Sequence, residues 1–171
     1  MRRSLVAACA ALAALTLLCV AAGAAAKANY NGVWVLDLSR SEGLPAGFEQ
    51  TVTITQADDK LDLVIKQKTP QGERVINENH VLDGKEIEFK PSVAPNQPPP
   101  KNAKRVSKWT ADGAGVEIVD NYDVDTPDGV ITVVVKRTWR LAADGKTMTV
   151  VQDVKGTMGA SQTKRVYNKQ G

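Results

Sequence analysis

Residues 116–154 read VEIVDNYDVDTPDGVITVVVKRTWRLAADGKTMTVVQDV. Two Asp-Gly pairs, Asp128-Gly129 and Asp144-Gly145, separate three runs in which apolar and polar residues alternate. That pattern predicts consecutive β-hairpins. The apolar positions are Val116, Ile118, Tyr122 and Val124, then Ile131, Val133, Val135, Trp139 and Leu141, then Met148, Val150 and Val154. The outer runs use even numbers and the middle run odd ones, so two-residue turns at the Asp-Gly pairs keep all three apolar faces on one side.

The same counting places polar side chains inside that face. Pairing across Asp128-Gly129 sets Asp120 opposite Arg137, and pairing across Asp144-Gly145 sets Arg137 opposite Gln152. A four-residue first turn would instead make Asp120 the diagonal neighbour of Arg137. The expected result is an acid, a guanidinium and an amide in a row across three strands, with Tyr122 and Trp139 beside them.

Outside this stretch the chain keeps the same habit. Val33–Leu38 reads as a first strand with Trp34, Leu36 and Leu38 on one face. Glu49–Ala57 and Lys60–Lys68 form a hairpin around Asp58-Asp59 that pairs Val52 with Ile65 and Ile54 with Leu63. Arg74–Leu82 follows, with Ile76, Glu78, His80 and Leu82 on its inward side, and Glu86–Lys90 continues that face through Ile87 and Phe89. Pro91–Asn102 (PSVAPNQPPPKN) is a proline-rich loop, because proline lacks the donor a sheet interior needs. Lys104–Thr110 and a last strand, Ser161–Asn168, complete the set. About ten strands at short, regular spacing predict an all-β fold. Short turns between neighbours favour an up-and-down antiparallel meander, and closure into a barrel would remove exposed edges.

The first residues are of another kind. Met1-Arg2-Arg3, an apolar run from Leu5 to about Val20, and small residues beyond it read as a secretory signal-peptide helix. Cleavage after Ala26 or after Ala28 satisfies the small-x-small rule, and the reading adopted divides the chain into a leader, 1–28, and a single domain, 29–171, with its proline-rich loop at 91–102. A lipoprotein leader would need a small residue before Cys19, where Leu18 stands. The expected location is therefore secreted or periplasmic, with no stable membrane insertion after cleavage. Removing 1–28 takes away Arg2, Arg3 and Lys27 and no acid from a formal charge of +3, so the domain is neutral. No electrostatic case for nucleic acid or an anionic membrane survives. Both cysteines, Cys9 and Cys19, leave with the leader, so the core alone must hold the fold.

Tyr30-Asn31-Gly32-Val33-Trp34 matches the aromatic/aliphatic-x-Gly-x-Trp signature with which lipocalins begin their first strand. More widely, the chain resembles a set of uncharacterised secreted bacterial proteins with a lipocalin-like barrel. The resemblance lies in Gly32-x-Trp34-x-Leu36-Asp37, Ser41, Asp144–Val150 (DGKTMTV) and Arg165-Val166-Tyr167-x-Lys169-Gln170. It implies a lipocalin-like barrel of about 8–10 strands, and an Arg165 that stacks on Trp34.

Three groupings could carry chemistry. The Asp120–Arg137–Gln152 row is either a pocket anchor for a carboxylate or phosphate, with Asp120 orienting the guanidinium, or a structural ion pair with Gln152 taking a spare donor. Arg105 joins the row if it pairs opposite Asp120. Glu78 and His80, the sole histidine, share a strand face; general acid–base work would require them within hydrogen-bond reach of each other or of a pocket. No nucleophile motif accompanies them, and a satisfied strand histidine is the plainer reading. Asp123-x-Asp125-x-x-Asp128-Gly129 is one residue too long for a calcium loop and reads as a hairpin tip. Zinc would need ligands the domain lacks.

These readings predict an exported barrel that binds a small hydrophobic or amphipathic ligand carrying an anionic group. The ligand-binding candidates are Arg137, Asp120, Gln152, Tyr122, Trp139, Glu78 and His80; no catalytic set, metal or cofactor is expected. The alternative is an envelope-associated structural or interaction domain with a filled barrel. Interior volume separates the two: a cavity of a few hundred Å³ with Arg137 in its wall favours binding. The oligomeric state is left open.

Overall fold

The computed structural model describes residues 27–70, 72–92, 99–157 and 159–171. Residues 1–26, where most of the expected leader falls, and residues 93–98 of the proline-rich loop lie outside the described residues. Ten strands make one antiparallel sheet: β1 (Gly32–Leu36), β2 (Glu49–Ala57), β3 (Lys60–Thr69), β4 (Gly72–Val81), β5 (Asp83–Glu88), β6 (Lys101–Trp109), β7 (Gly115–Thr126), β8 (Gly129–Leu141), β9 (Thr147–Gly156) and β10 (Gly159–Lys169). The order is β4-β3-β2-β1-β10-β9-β8-β7-β6-β5. The all-β meander expected from the sequence is thus present, and pairing of β1 with β10 curls it into a barrel.

Closure is incomplete. The two edges of the sheet, β4 and β5, follow one another in sequence but share no ladder, so a seam runs down the wall between them. A register irregularity between Asp83 and Glu86 turns β5 along this edge, leaving Ile87 46% exposed. The expectation that Ile87 joins the core is corrected on that ground; Phe89 does turn inward, under Arg105.

Registers follow the predicted parity with one shift. Across the second tight turn Arg137 pairs with Gln152 and Leu141 with Met148, as counted. The β2–β3 hairpin pairs Val52 with Ile65 and Ile54 with Leu63, also as counted. Across the first turn, Thr126 pairs with Gly129, so Pro127-Asp128 are the turn residues instead of Asp128-Gly129. Proline's fixed φ draws the bend onto itself, and Gly129, at φ +122°, opens the returning strand. Asp120 therefore faces Val135, and Ile118 faces Arg137. The slip is by an even step, so every side chain keeps its face, and Asp120 becomes a diagonal neighbour of Arg137.

The core fills one end of the barrel. Tyr30, Trp34, Leu61, Leu82, Val116, Ile118, Trp139 and Met148 are buried there together. Tyr30 sits edge-on to Trp139, with ring centroids 6.0 Å apart, and its hydroxyl donates to the Trp139 carbonyl at 3.2 Å. Trp34 donates its indole N–H to the Tyr30 carbonyl at 2.8 Å, which satisfies the polar edge of a fully buried ring. β1 ends at Leu36; Leu38 opens a single 3₁₀ turn, Leu38–Arg40, and is 37% exposed, so it is not on the core face with Trp34.

The Gly-x-Trp pairing has a physical cause here. Gly32 adopts φ +130°, and a Cβ on it would lie 2.6 Å from Lys169 Cε. That φ strains any residue with a Cβ, and the flexible end of Lys169 would have to move aside for one. The Lys169 side chain occupies that space, and its ammonium lies 5.3 Å from the centre of the Trp34 ring. The cation over Trp34 is thus Lys169, which pairs directly with it, and not Arg165 as the resemblance implied. Arg165 lies farther along β10, opposite Val150, and turns to the interior cavity.

Candidate binding site

Above the aromatic floor the interior is open, and a cavity of about 450 Å³ occupies it. Four arginines from four strands reach its wall: Arg74 on β4, Arg105 on β6, Arg137 on β8 and Arg165 on β10. Two carboxylates meet them there, Glu78 and Asp120.

The acids are both taken by the same two arginines. Arg137 donates from Nη1 to Glu78 Oε2 and from Nη2 to Asp120 Oδ2, each at 2.9 Å. Arg105, paired directly across from Asp120, grips it with two bonds, Nε to Oδ1 at 2.6 Å and Nη2 to Oδ2 at 2.8 Å. Its Nη1 is also 3.8 Å from Glu78 Oε2, and its guanidinium stacks 4.0 Å from the centre of the Phe89 ring. Such paired, bidentate contacts are what allow charges to be buried at all. Burial alone would raise the Glu78 pKa, but Arg137, the His80 hydrogen bond and Arg105 outweigh it and hold the carboxyl well below its ordinary range. For Arg137 burial pulls downward, and Glu78 and Asp120 more than offset it, so its pKa is raised.

Glu78 also receives His80 Nε2 at 3.0 Å, and His80 Nδ1 lies 3.1 Å from Ser107 Oγ. An ionised Glu78 can only accept, which places the imidazole proton on Nε2 and makes Nδ1 the acceptor of the Ser107 hydroxyl. Burial lowers the His80 pKa despite the neighbouring carboxylate, so the ring is neutral. The connectivity serine–imidazole–carboxylate is that of an activated nucleophile, and the reach required for acid–base work is met. The surroundings do not suit that work. Ser107 is 3% and His80 1% exposed, neither is in the cavity wall, and Glu78 is neutralised by arginines. The chain instead ties β4 to β6 across the seam that main-chain bonds leave open.

Of the other residues expected at the site, Tyr122 and Gln152 line the cavity. Gln152 accepts from Arg165 Nη1, at 3.4 Å, and not from Arg137 as its direct pairing suggested. Trp139 lies below, in the wall of a void of about 40 Å³ shared with Arg137 and Arg165. Sequence reasoning missed Arg74, Gln50 and Gln67, and gave Arg165 another task. Gln50 pairs with Gln67, and Gln67 with Arg74, so parity carried the signal: each is a polar residue at an inward position. Tyr167 donates to Gln50 Oε1 at 2.5 Å, and burial pushes its phenol up to about 12, against the pull of Arg165 and Arg137. Among the described residues no cluster of His, Cys, Asp and Glu could hold a metal ion.

Fold and site together describe a ten-stranded antiparallel barrel with a polar internal cavity above a packed floor. Among solved structures, the REP1-NXSQ fatty acid transporter superposes with a TM-score of 0.53 at 13% identity, over 82% of this chain and 96% of that one. A zebrafish ileal bile acid-binding protein complexed with cholic acid gives 0.49 at 15% identity, over 82% and 98%. Secretory abundant heat soluble protein 4 of Ramazzottius varieornatus gives 0.44 at 10%, over 82% and 94%. At such identities the first of these shows a shared fold and nothing further. No family model matches the chain, and no curated protein does.

Proposed function

We propose that the protein is an exported binding barrel for a small amphiphile with an anionic group, and that Arg165, helped by Arg74, takes the anion. The supporting observation is a surplus of donors. Arg105 and Arg137 pair with both carboxylates, whereas among the described residues the partners of Arg165 and Arg74 are uncharged: Gln152 at 3.4 Å and the Tyr167 hydroxyl for Arg165, and Gln67 at 3.3 Å for Arg74. Among the described residues, Arg137 Nε, Trp139 Nε1 and Arg165 Nε are buried without an acceptor, and all three side chains border the same void at the cavity floor. Buried donors need partners, and four guanidiniums set against two carboxylates in one wall fit the oxygens of a carboxylate, sulfonate or phosphate. Val135, Ile65 and Ile76 in the upper wall suit an apolar body, and about 450 Å³ is the volume of a small organic ligand. The fatty acid transporter that shares this fold agrees with an amphiphile but does not choose one.

A fluorescence titration tests this reading. Anilinonaphthalene sulfonate is an anionic amphiphile, and N-phenylnaphthylamine is the same ring system without the charge. Arg165→Met is expected to weaken the sulfonate by about 10–100-fold, the worth of a charged hydrogen bond, and to leave the neutral probe unchanged. Equal losses for both, or none, would remove the anion site from the proposal.

One observation favours a second reading, that of an envelope-associated structural domain: one end of the interior is already filled by Tyr30, Trp34, Trp139 and their neighbours. Native mass spectrometry of protein from its own host, with no small molecule retained and no saturable binding of either probe, would support it.

A further inference from the structure

Lys27 to Asn31, the first of the described residues, are worked into the packed end of the barrel. The Ala28 N–H donates to the Gly113 carbonyl in the β6–β7 turn at 3.2 Å. Its carbonyl accepts from Gln56 Nε2 at 3.1 Å, while Gln56 Oε1 accepts the Tyr30 N–H at 2.7 Å. One side chain of β2 thus brackets the main chain on both sides of Asn29. The Ala28 methyl packs against the buried aromatic cluster. The Lys27 ammonium pairs with Asp59 and lies 5.6 Å from the centre of the Trp109 ring, while Trp109 Nε1 donates to the same Asp59 oxygen at 2.8 Å. Four separate parts of the barrel, β2, the β2–β3 turn, the end of β6 and the β6–β7 turn, therefore present partners to Lys27 and Ala28.

A leader cut after Ala28 would discard Lys27 and Ala28 and with them every contact these two residues make. It would leave the Gln56 amide and the Gly113 carbonyl without acceptor and donor, and place a charged α-ammonium on Asn29, one residue from the fully buried Tyr30. A cut after Ala26 keeps every contact and moves the new α-ammonium to Lys27, whose side chain is half exposed. Both bonds satisfy the small-x-small rule, through Ala24 and Ala26 or through Ala26 and Ala28; the recognition sequence does not choose, and only the first product keeps Lys27 and Ala28 in the barrel.

Resting on the reading that the chain is exported, we infer that its processing site is the Ala26–Lys27 bond, so that Lys27 is the first residue of the mature protein. The processing enzyme is by chemistry a leader peptidase that selects small side chains one and three residues before the cut.

The test is the intact mass of the full chain expressed with its leader in an export-competent bacterial host and recovered from outside the cytoplasm. The expected product begins at Lys27. A product beginning at Asn29, lighter by one Lys and one Ala, would overturn the inference while leaving export standing. An unprocessed chain, or a lipidated one beginning at Cys19, would overturn both the cut and the free export on which it rests. Ala24→Phe supplies the second arm, since Ala24 is three residues before the proposed cut and plays no part in the alternative. The Lys27 product should be lost in that variant; an unaltered Lys27 product would count against recognition at this bond. Chains starting at Lys27 and at Asn29 should also differ in thermal midpoint by roughly 3–8 °C, the longer being the more stable, and equal midpoints would deprive the inference of its physical basis.

Discussion

The side chain of Arg137 reaches two carboxylates from different strands at once, so its removal strands charge in the interior. Arg137→Met is expected to lower the free energy of unfolding by about 3 kcal/mol; Glu78 and Asp120 retain Arg105, which keeps the loss at the lower end for a broken buried pair. Urea unfolding measures it. Arg165 has no carboxylate to abandon, so Arg165→Met should change stability by less than about 1 kcal/mol. Equal destabilisation by the two substitutions would mean that the division of labour drawn between these arginines is wrong. His80 gives a pH dependence with a definite sign. Its folded pKa is below the ordinary 6.5, so the folded protein holds fewer protons than the unfolded one just below that pH. The stability it contributes is complete above pH 6.5 and is lost as the pH falls toward the lowered folded value. The charged groups facing it are Glu78, Arg137 and Arg105. The Glu78 contribution is complete above its ordinary 4.5 and is lost at lower pH still. The thermal midpoint of the parent should therefore decline between pH 6.5 and the carboxylate range, and His80→Gln should flatten that part of the curve. A parent curve that is flat there would contradict the buried neutral imidazole.

At the scale of strands and turns, parity did most of the work that the sequence could do. Alternation marked the inward faces of β2, β3, β4 and β7 to β9, and two registers were countable outright because Asp58-Asp59 and Asp144-Gly145 leave little choice of bend. The β7–β8 turn was less determined, since Thr-Pro-Asp-Gly offers two adjacent bends and proline decided for the earlier one. The error preserved every face, which is why Asp120 and Arg137 still meet. What local pattern cannot carry is which strands look at each other across the lumen. Nothing near Glu78 in the chain signals that it will find Arg137, 59 residues away, and the Lys169 cap on Trp34 depended on the β1–β10 pairing that closes the sheet. One glycine inserted between Asp128 and Gly129 should be far more damaging than two, because an odd insertion sends Arg137 and Trp139 to solvent or forces a bulge, and an even one only lengthens the loop. Near-ultraviolet circular dichroism and the thermal midpoint read the difference. Equal tolerance of both insertions would mean that β8 is not held by its inward face.

Across the whole molecule, the barrel divides into a packed end that supplies stability and an open end that supplies a chamber. The seam between β4 and β5 lies along that chamber: Asn77 and Asn79 on one side and Phe89 to Ser92 on the other contribute to its wall. Side-chain contacts, His80 to Ser107 and Glu78 to Arg105 and Arg137, span the place where a ladder would otherwise run. Stability and the proposed binding therefore draw on neighbouring arginines with different partners, two neutralised by acids and two held by uncharged groups. That partition is the centre of the account, and arginine-detected NMR reads it directly. On titration with a soluble anionic amphiphile such as anilinonaphthalene sulfonate, the Arg165 Nε–H resonance should move and saturate while that of Arg105, whose Nε is bonded to Asp120, stays in place. Saturable movement of Arg105 with Arg165 unmoved, or no saturable change in any arginine, would contradict it.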